Sequence, residues 1–157
     1  MLLISKLRFY TFVFGLAFCV HGVSAQPLET KVTDFITQYY QLVKKADDKA
    51  LFNYYNSNAE IRYEMDYGFF YPTEKLEYSR DEFFADDESD DAYTVLSIKS
   101  DKPKISIDGN NIDVTVKLEE QFQYESIKAK TRGEDFFKLE LDNDQLVIVK
   151  QLSKRKF

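Results

Sequence analysis

The chain has 157 residues, with 27 acidic and 21 basic side chains and a net charge of −6. This length suits one domain with a single hydrophobic core, and the negative charge disfavours nucleic acids and anionic membrane surfaces as partners. The whole sequence contains one cysteine and one histidine, so few catalytic sites that depend on a thiol or an imidazole are possible.

The first 25 residues have the pattern of a cleavable signal peptide. Lys6 and Arg8 precede an apolar run over 9–20, and small residues end the segment at Ala25. The run is too short to span a bilayer, which takes about 20 apolar residues. Lipid attachment at Cys19 is the alternative, and the bulky residue before it disfavours that processing. We expect cleavage after Ala25 and export to the periplasm or the medium.

Cleavage would remove Cys19 and His21, which are the only thiol and the only imidazole. The mature domain, residues 26–157, would carry 19 basic and 27 acidic side chains and a net charge of −8. It could form no disulfide, run no Ser-His-Asp or Cys-His mechanism, and build no zinc site of nitrogen and sulfur ligands. We expect no metal, no cofactor, no nucleic acid partner and no stable membrane insertion after cleavage.

The mature chain begins with helical periodicity. Apolar residues at three- and four-residue spacing predict a long first helix over 28–46. Asp47 is placed to cap a second, shorter helix, which the polar residues 56–58 would end. Apolar and polar residues then alternate over 59–67, which predicts a half-buried strand, and an aromatic loop over 68–78 follows.

A third, short helix is predicted after this loop. Ser79 and Glu82 have the spacing of a capping box, in which each side chain bonds the other residue's backbone amide. The helix leads into an acidic run over 86–91. Carboxylate oxygens suit calcium, but Asp91 stands where an EF-hand loop has glycine, so we interpret the run as a solvated loop.

The second half of the sequence predicts strands and turns only. Three helices followed by a curled antiparallel sheet make an α+β fold in a single domain over 26–157. The basic tail 154–156 is interpreted as a solvated terminus. The predicted strands are 92–100, 104–107 as its continuation or a short neighbour, 112–124, 128–141 and 146–152.

Three segments carry a family resemblance. Residues 39–47 (YYQLVKKAD) are similar to a Y-x-x-L-V-x-x-G-D pattern, 54–59 (YYNSNA) to L-Y-A-D-D-A, and 142–149 (DNDQLVIV) to D-G-x-W-K-I-V. With the element order, they resemble the nuclear transport factor 2-like (NTF2-like) superfamily, including its SnoaL-like branches. The resemblance implies a bent sheet wrapped around the long helix as a cone, with a pocket at its open end and often a homodimer through the sheet. The superfamily hosts isomerases, dehydratases, hydrolases, subunits and scaffolds, so the fold alone assigns no function.

The ketosteroid isomerase branch offers one enzymatic hypothesis. The resemblance places Tyr39 on the tyrosine of that branch, but Tyr63 and Phe137 fall near its base and its second acid. A proton cannot be abstracted without a base, and scytalone dehydratase-like chemistry needs a histidine that the mature chain lacks. Packing of Tyr39 on the sheet is the alternative to a catalytic role.

Two carboxylates, Glu120 and Asp135, interrupt otherwise apolar inward-facing rows. If residues 126–127 form the hairpin turn, Glu120 lies opposite Gly133 and diagonal to Asp135, at about 7–8 Å. Two acids in an aromatic cavity would raise the pKa of at least one of them, which suits a general acid or base. The alternative is a β-bulge at 119–120 that turns one acid out to solvent.

Aromatic side chains either line a cavity for an apolar ligand or fill the core. We predict a non-catalytic domain that binds a small apolar or amphipathic ligand, or a protein partner, through its cone. The alternatives are an enzyme that uses Glu120 or Asp135, and a dimeric scaffold or envelope-complex subunit that assembles through its sheet face. The candidate ligand-binding residues are Tyr39, Tyr55, Tyr63, Met65, Phe84, Phe122 and Phe137.

Overall fold

The computed structural model of the protein describes residues 26–85 and 93–157. The predicted signal peptide and the acidic run considered for calcium lie outside these residues. No helix in the two described ranges has the length and apolar character needed to cross a bilayer.

Within these two ranges, three helices occur near their predicted positions: α1 (Leu28–Lys45), α2 (Asp48–Phe52) and α3 (Arg80–Ala85). Helix α1 ends at Ala46, whose φ of 51° is left-handed. The Asp47 carboxylate accepts from the backbone N–H of Ala50 at 3.1 Å, which confirms the predicted cap of α2. Helix α2 is shorter than predicted, because residues 56–58 already belong to the first strand.

The capping box that opens α3 is confirmed. The Ser79 backbone N–H donates to Glu82 Oε2 at 2.8 Å, and the Glu82 N–H donates to Ser79 Oγ at 3.4 Å. These two bonds satisfy amides that the short helix cannot satisfy itself.

The strands of the described residues are β1 (Tyr55–Asp66), β2 (Glu74–Ser79), β3 (Tyr93–Ser100), β4 (Lys104–Asp108), β5 (Asn111–Tyr124), β6 (Ile127–Asp142) and β7 (Gln145–Lys156). They form one curved sheet in the order β2-β1-β7-β6-β5-β3, with β4 beside β5. Strands β3 and β4 follow each other along the same edge of β5, as a strand and its continuation would. Strand β2 was predicted as part of a loop.

The sheet is mixed rather than purely antiparallel, because β1 runs parallel to β7. This pairing continues to Asp66 opposite Lys156, so β7 runs four residues beyond the predicted end at Leu152. The interpretation of residues 154–156 as a solvated tail is therefore wrong: they form the end of a central strand.

The β5–β6 register differs from the predicted one by two residues. Tyr124 pairs with Ile127 across a turn in which Glu125 has a φ of 52°. Glu120 therefore lies opposite Thr131, and Gly133 lies opposite Leu118. The pairing is unbroken along β5, so no bulge turns Glu120 outward.

Helix α1 packs against the concave side of the sheet. Four of its residues, Val32, Ile36, Tyr39 and Tyr40, are buried in one core with apolar residues of β1, β5, β6 and β7. The α+β cone predicted for the fold is confirmed. The convex side carries charged pairs, including Lys130 Nζ to Glu119 Oε2 at 2.8 Å and Lys150 Nζ to Glu60 Oε2 at 3.0 Å.

Candidate functional site

Helix α1 and strands β5 to β7 bring four polar side chains together inside the cone. We call Tyr40, Glu120, Asp135 and Arg155 the Arg155 cluster. Arg155 Nη1 donates to Asp135 Oδ1 at 2.7 Å, Nη2 donates to Oδ2 at 3.3 Å, and Nε donates to Glu120 Oε2 at 3.3 Å. The Tyr40 hydroxyl donates to Asp135 Oδ2 at 2.8 Å. The forked contact on Asp135 is the two-bond geometry that guanidinium and carboxylate groups favour.

The cluster is largely withdrawn from water. The side chains of Arg155, Glu120 and Asp135 are 14%, 10% and 2% exposed. Burial is the largest single influence and opposes the charge of Arg155, but the charge and hydrogen bonds of Asp135 together with the charge of Glu120 outweigh it, so the pKa of Arg155 is raised. Burial and then the Asp135 carboxylate raise the pKa of Tyr40 far above its usual value. Both oxygens of Asp135 are thus engaged by donors that stay protonated.

A second buried polar group lies deeper in the cone. The hydroxyls of Tyr39 and Tyr55 both donate to Gln151 Oε1, the first at 3.1 Å. The two hydroxyl oxygens lie 3.0 Å apart, and Gln151 Nε2 donates to Ser153 Oγ at 2.8 Å. Burial raises the pKa of Tyr39 to about 12. These side chains satisfy one another, as buried polar groups must.

One buried hydroxyl has no hydrogen-bond partner among the described residues. Thr131 is 1% exposed, and its Oγ1 bonds no other group in that part of the chain. It lies opposite Glu120 across the β5–β6 pair.

A groove of about 500 Å³ opens between α1 and the β3–β4 connection. We call it the α1 groove. Its apolar part includes Ile36 and the ring of Tyr40 from α1, with Ile98 and Pro103 opposite. The groove meets the Arg155 cluster at two points. Tyr40 belongs to both, and Ile98 of the groove pairs with Glu120 of the cluster in the sheet. The polar lining residues are Thr33, Thr37, Gln41, Lys44, Ser100, Asp101 and Lys102.

The sequence matches no family model and no curated protein, but solved structures match most of its length. An NTF2-like protein from Cytophaga hutchinsonii superposes with a TM-score of 0.66 at 10% identity, over 82% of this chain and 98% of that one. A ketosteroid isomerase-like protein from Erwinia carotovora atroseptica gives 0.60 at 12% identity, over 83% and 98%. An NTF2-like protein of unknown function from Shewanella baltica gives 0.54 at 17% identity, over 80% and 91%.

This chain has the NTF2-like fold. The resemblance seen in the sequence is confirmed at that level. At identities this low, the structural similarity establishes the architecture alone. Proteins with an NTF2-like fold carry out many different activities. What the domain does has to be argued from its own side chains.

The ligand-binding residues predicted from the sequence fall into two groups within the NTF2-like cone. Tyr39, Tyr55 and Phe137 are 4%, 4% and 2% exposed and belong to the core, and the rings of Tyr39 and Phe137 meet edge to face at 5.2 Å. For both the core residues and the half-buried residues, contact with a ligand stays a prediction. The half-buried candidates are Tyr63, Met65, Phe84 and Phe122.

The structure separates Tyr39 from the two candidate acids. Glu120 and Asp135 both point into the NTF2-like cone, with 8% and 1% of the whole residue exposed, which is one of the two alternatives that the sequence left open. They meet through Arg155 rather than as diagonal neighbours, and the tyrosine that bonds Asp135 is Tyr40. The Tyr39 hydroxyl faces Tyr55 and Gln151 instead.

Sequence reasoning missed Tyr40, Gln151, Ser153 and Arg155. The last three alternate along β7 on the same face of the sheet, so a strand prediction continued to residue 156 would have found them. Tyr40 gave no such signal, because it adjoins Tyr39 on the same apolar stripe. Among the described residues, no group of three or more acidic, histidine or cysteine side chains has the geometry to hold a metal ion.

Proposed function

We propose that this domain is an exported, non-catalytic binding module whose α1 groove takes one small amphipathic molecule. The observation that carries the proposal is the groove itself. Its volume, about 500 Å³, is in the range of small-molecule sites, which is about 300–1,000 Å³. An apolar floor of Ile36, Tyr40 and Ile98 under a rim of hydroxyl, amide and charged groups suits a molecule with an apolar body and a polar end.

The Arg155 cluster supports binding over catalysis. A general base needs a carboxylate that can reach the substrate proton, whereas Asp135 already accepts three hydrogen bonds. Taking up a proton there would break a buried ion pair and leave Arg155 partly uncompensated. We assign the cluster the role of a fixed wall that holds Tyr40 against the groove.

Tyr39 is also poorly placed for chemistry. Its hydroxyl is committed to Gln151 and Tyr55 inside the core, and its pKa of about 12 keeps it protonated at neutral pH. A tyrosine that stabilises a developing oxyanion must instead point its proton at a substrate atom. Neither Asp135 as a base nor Tyr39 as a donor is therefore available to the enzymatic alternative.

The convex sheet face gives little support to the scaffold alternative. Glu60, Glu64 and Glu119 each pair there with lysines of neighbouring strands. Large obligate interfaces are more apolar than this surface. A homodimer through the sheet is for this reason not part of the proposed function.

Export rests on the signal-peptide pattern of residues 1–25. The intact mass of the protein recovered outside the cytoplasm tests it directly. We expect the mass of a chain that begins at Gln26, and a full-length mass in that fraction would contradict export by cleavage.

The groove is tested by titrating the protein with the neutral amphipathic dye Nile red. We expect saturable binding at one site, with a dissociation constant raised at least about tenfold by Ile98→Trp, which would fill the groove. Ile107→Trp is the matched control, because Ile107 is 42% exposed on β4 and does not line the groove. Equal affinity in both variants would contradict the assignment of the groove.

A further inference from the structure

The loop between β1 and β2 exposes three consecutive aromatic side chains. Phe69, Phe70 and Tyr71 are 98%, 88% and 68% exposed. We call residues 69–71 the aromatic tip. The segment from Tyr67 to Thr73 contains no charged residue. Large apolar side chains exposed side by side usually mark a contact surface.

The aromatic tip stands on an ordered base. The Gly68 N–H donates to Asp66 Oδ1 at 2.9 Å, and the Tyr71 N–H donates to the Gly68 carbonyl at 3.3 Å. Gly68 has a φ of 92°, which a side chain would disfavour. Below the tip, the Tyr67 ring stacks on Phe157 at 4.7 Å. The backbone of the hairpin thus holds the rings outward.

The size of the tip argues against a stable protein interface. Three rings bury roughly 450–750 Å² if each buries about 150–250 Å², whereas a stable interface takes about 800 Å² from each partner. The rings also project from a single loop with 98%, 88% and 68% exposure, so a second protein would need a matching cleft. A lipid interface needs no matching shape, and aromatic rings concentrate there because they are apolar with a polar edge or hydroxyl.

The negative charge around the tip determines which lipid headgroups it can approach. Asp66 and Glu74 flank the uncharged segment, and the whole chain has a net charge of −6. Anionic headgroups would repel such a surface, whereas zwitterionic headgroups would not.

We propose that the aromatic tip docks the domain reversibly on neutral, zwitterionic lipid surfaces by inserting Phe69 and Phe70 among the headgroups. The tip lies outside the α1 groove, so this surface is independent of the proposed ligand site. Shallow insertion of one loop differs from a stable membrane span.

The chain contains no tryptophan, so Phe70→Trp creates a single fluorescent reporter in the tip. The protein, expressed with its own leader and recovered after processing, is titrated with phosphatidylcholine vesicles. We expect the indole emission of this variant to shift to shorter wavelength as lipid is added. Adding Phe69→Ser to it should lower the partition coefficient about tenfold or more, because one buried ring is lost.

The matched control is Ile127→Trp, at an exposed apolar position (65%) in the β5–β6 hairpin. We expect no shift from this reporter, and weaker partition of the tip reporter when phosphatidylglycerol replaces part of the phosphatidylcholine. The proposal is overturned if the tip reporter does not shift, or if the Ile127→Trp reporter shifts equally. It is also overturned if the tip reporter shifts without vesicles as protein concentration rises, since the tip would then bind a second copy.

Discussion

At the scale of single residues, Arg155 compensates the buried acids of the cone. Arg155→Met would leave Asp135 and Glu120 without their shared cation, and breaking a buried ion pair in this way costs about 3–5 kcal/mol. Adding Asp135→Leu should recover part of the loss, because one uncompensated carboxylate disappears with it. The free energy of unfolding in urea measures both effects.

Lys154→Met is the control for Arg155, since Lys154 lies next to it with a half-exposed side chain (48%) and an exposed pairing to Glu64. We expect this change to cost less than about 1 kcal/mol. A loss for Arg155→Met no larger than that of the control would show that the cluster contributes little to stability.

The buried tyrosines make stability depend on alkaline pH. The pKa of Tyr39 is raised from about 10 in the unfolded chain to about 12 by burial first and by Asp135 second. The folded state therefore keeps a proton that the unfolded state loses, so stability is complete below pH 10 and falls as pH rises towards 12. For Tyr39 the fall approaches about 2–3 kcal/mol at 1.36 kcal/mol per pKa unit.

Tyr39→Phe separates this effect from the titration of lysines. The variant should be less stable than the parent at pH 8, because Gln151 loses a donor. It should lose less additional stability between pH 10 and 11.5, as measured by urea unfolding at each pH. Parallel pH profiles for the two proteins would refute the role assigned to Tyr39.

Some of the side chains inside the cone could be predicted from the sequence. Alternation along β5 and β6 offered the inward orientation that Glu120 and Asp135 have, because a strand fixes the side-chain direction of every second residue. It left a bulge at 119–120 open as the alternative. The pattern could not predict which side chains hydrogen-bond to Asp135. Arg155 lies in a charged segment that looks like a solvated tail, and its burial depends on β1 pairing with the end of β7.

At the scale of secondary structure elements, Gly133 allows β6 and β7 to approach each other. A Cβ at this position would lie 2.0 Å from the Lys154 carbonyl oxygen and 3.1 Å from Arg155 Cδ. The first contact is with backbone, so Gly133→Ala must displace one strand. We expect a loss of about 1–3 kcal/mol, typical of overpacking, measured by thermal or urea unfolding.

Glu134→Ala, one residue along β6, is the control because Glu134 points to the outer face and pairs with Lys117 at 3.5 Å. A loss below about 1 kcal/mol is expected there. If Gly133→Ala were as mild as this control, the close approach of the two strands would not be required for stability.

The elements with local signals were the ones that the sequence predicted well. The caps at Asp47 and Ser79 are local hydrogen-bond patterns, and both occur. Strand β2 was missed because it is a short edge strand with charges that suit solvent. The β5–β6 register was wrong because no glycine or asparagine marks the turn, and Glu125 takes the left-handed conformation there instead.

At the scale of the whole molecule, the sequence predicted the architecture but could not locate the groove. Element order and periodicity suffice for an α+β cone, since helices and strands must bury their apolar faces against each other. The groove depends on how far α1 stands from Ser100 and Pro103 at the far edge of the sheet. That separation follows from tertiary packing, and no local pattern encodes it.

Whether the α1 groove is a binding site beside an inert polar cluster can be followed residue by residue with NMR. Amide shifts of the ¹⁵N-labelled protein would be followed while Nile red is added. We expect the largest changes on the two segments that line the groove, residues 36–44 of α1 and 98–103 around the β3–β4 connection. Changes centred on the half-buried cone residues Tyr63 and Phe122, with the groove amides unmoved, would rule out binding in the groove.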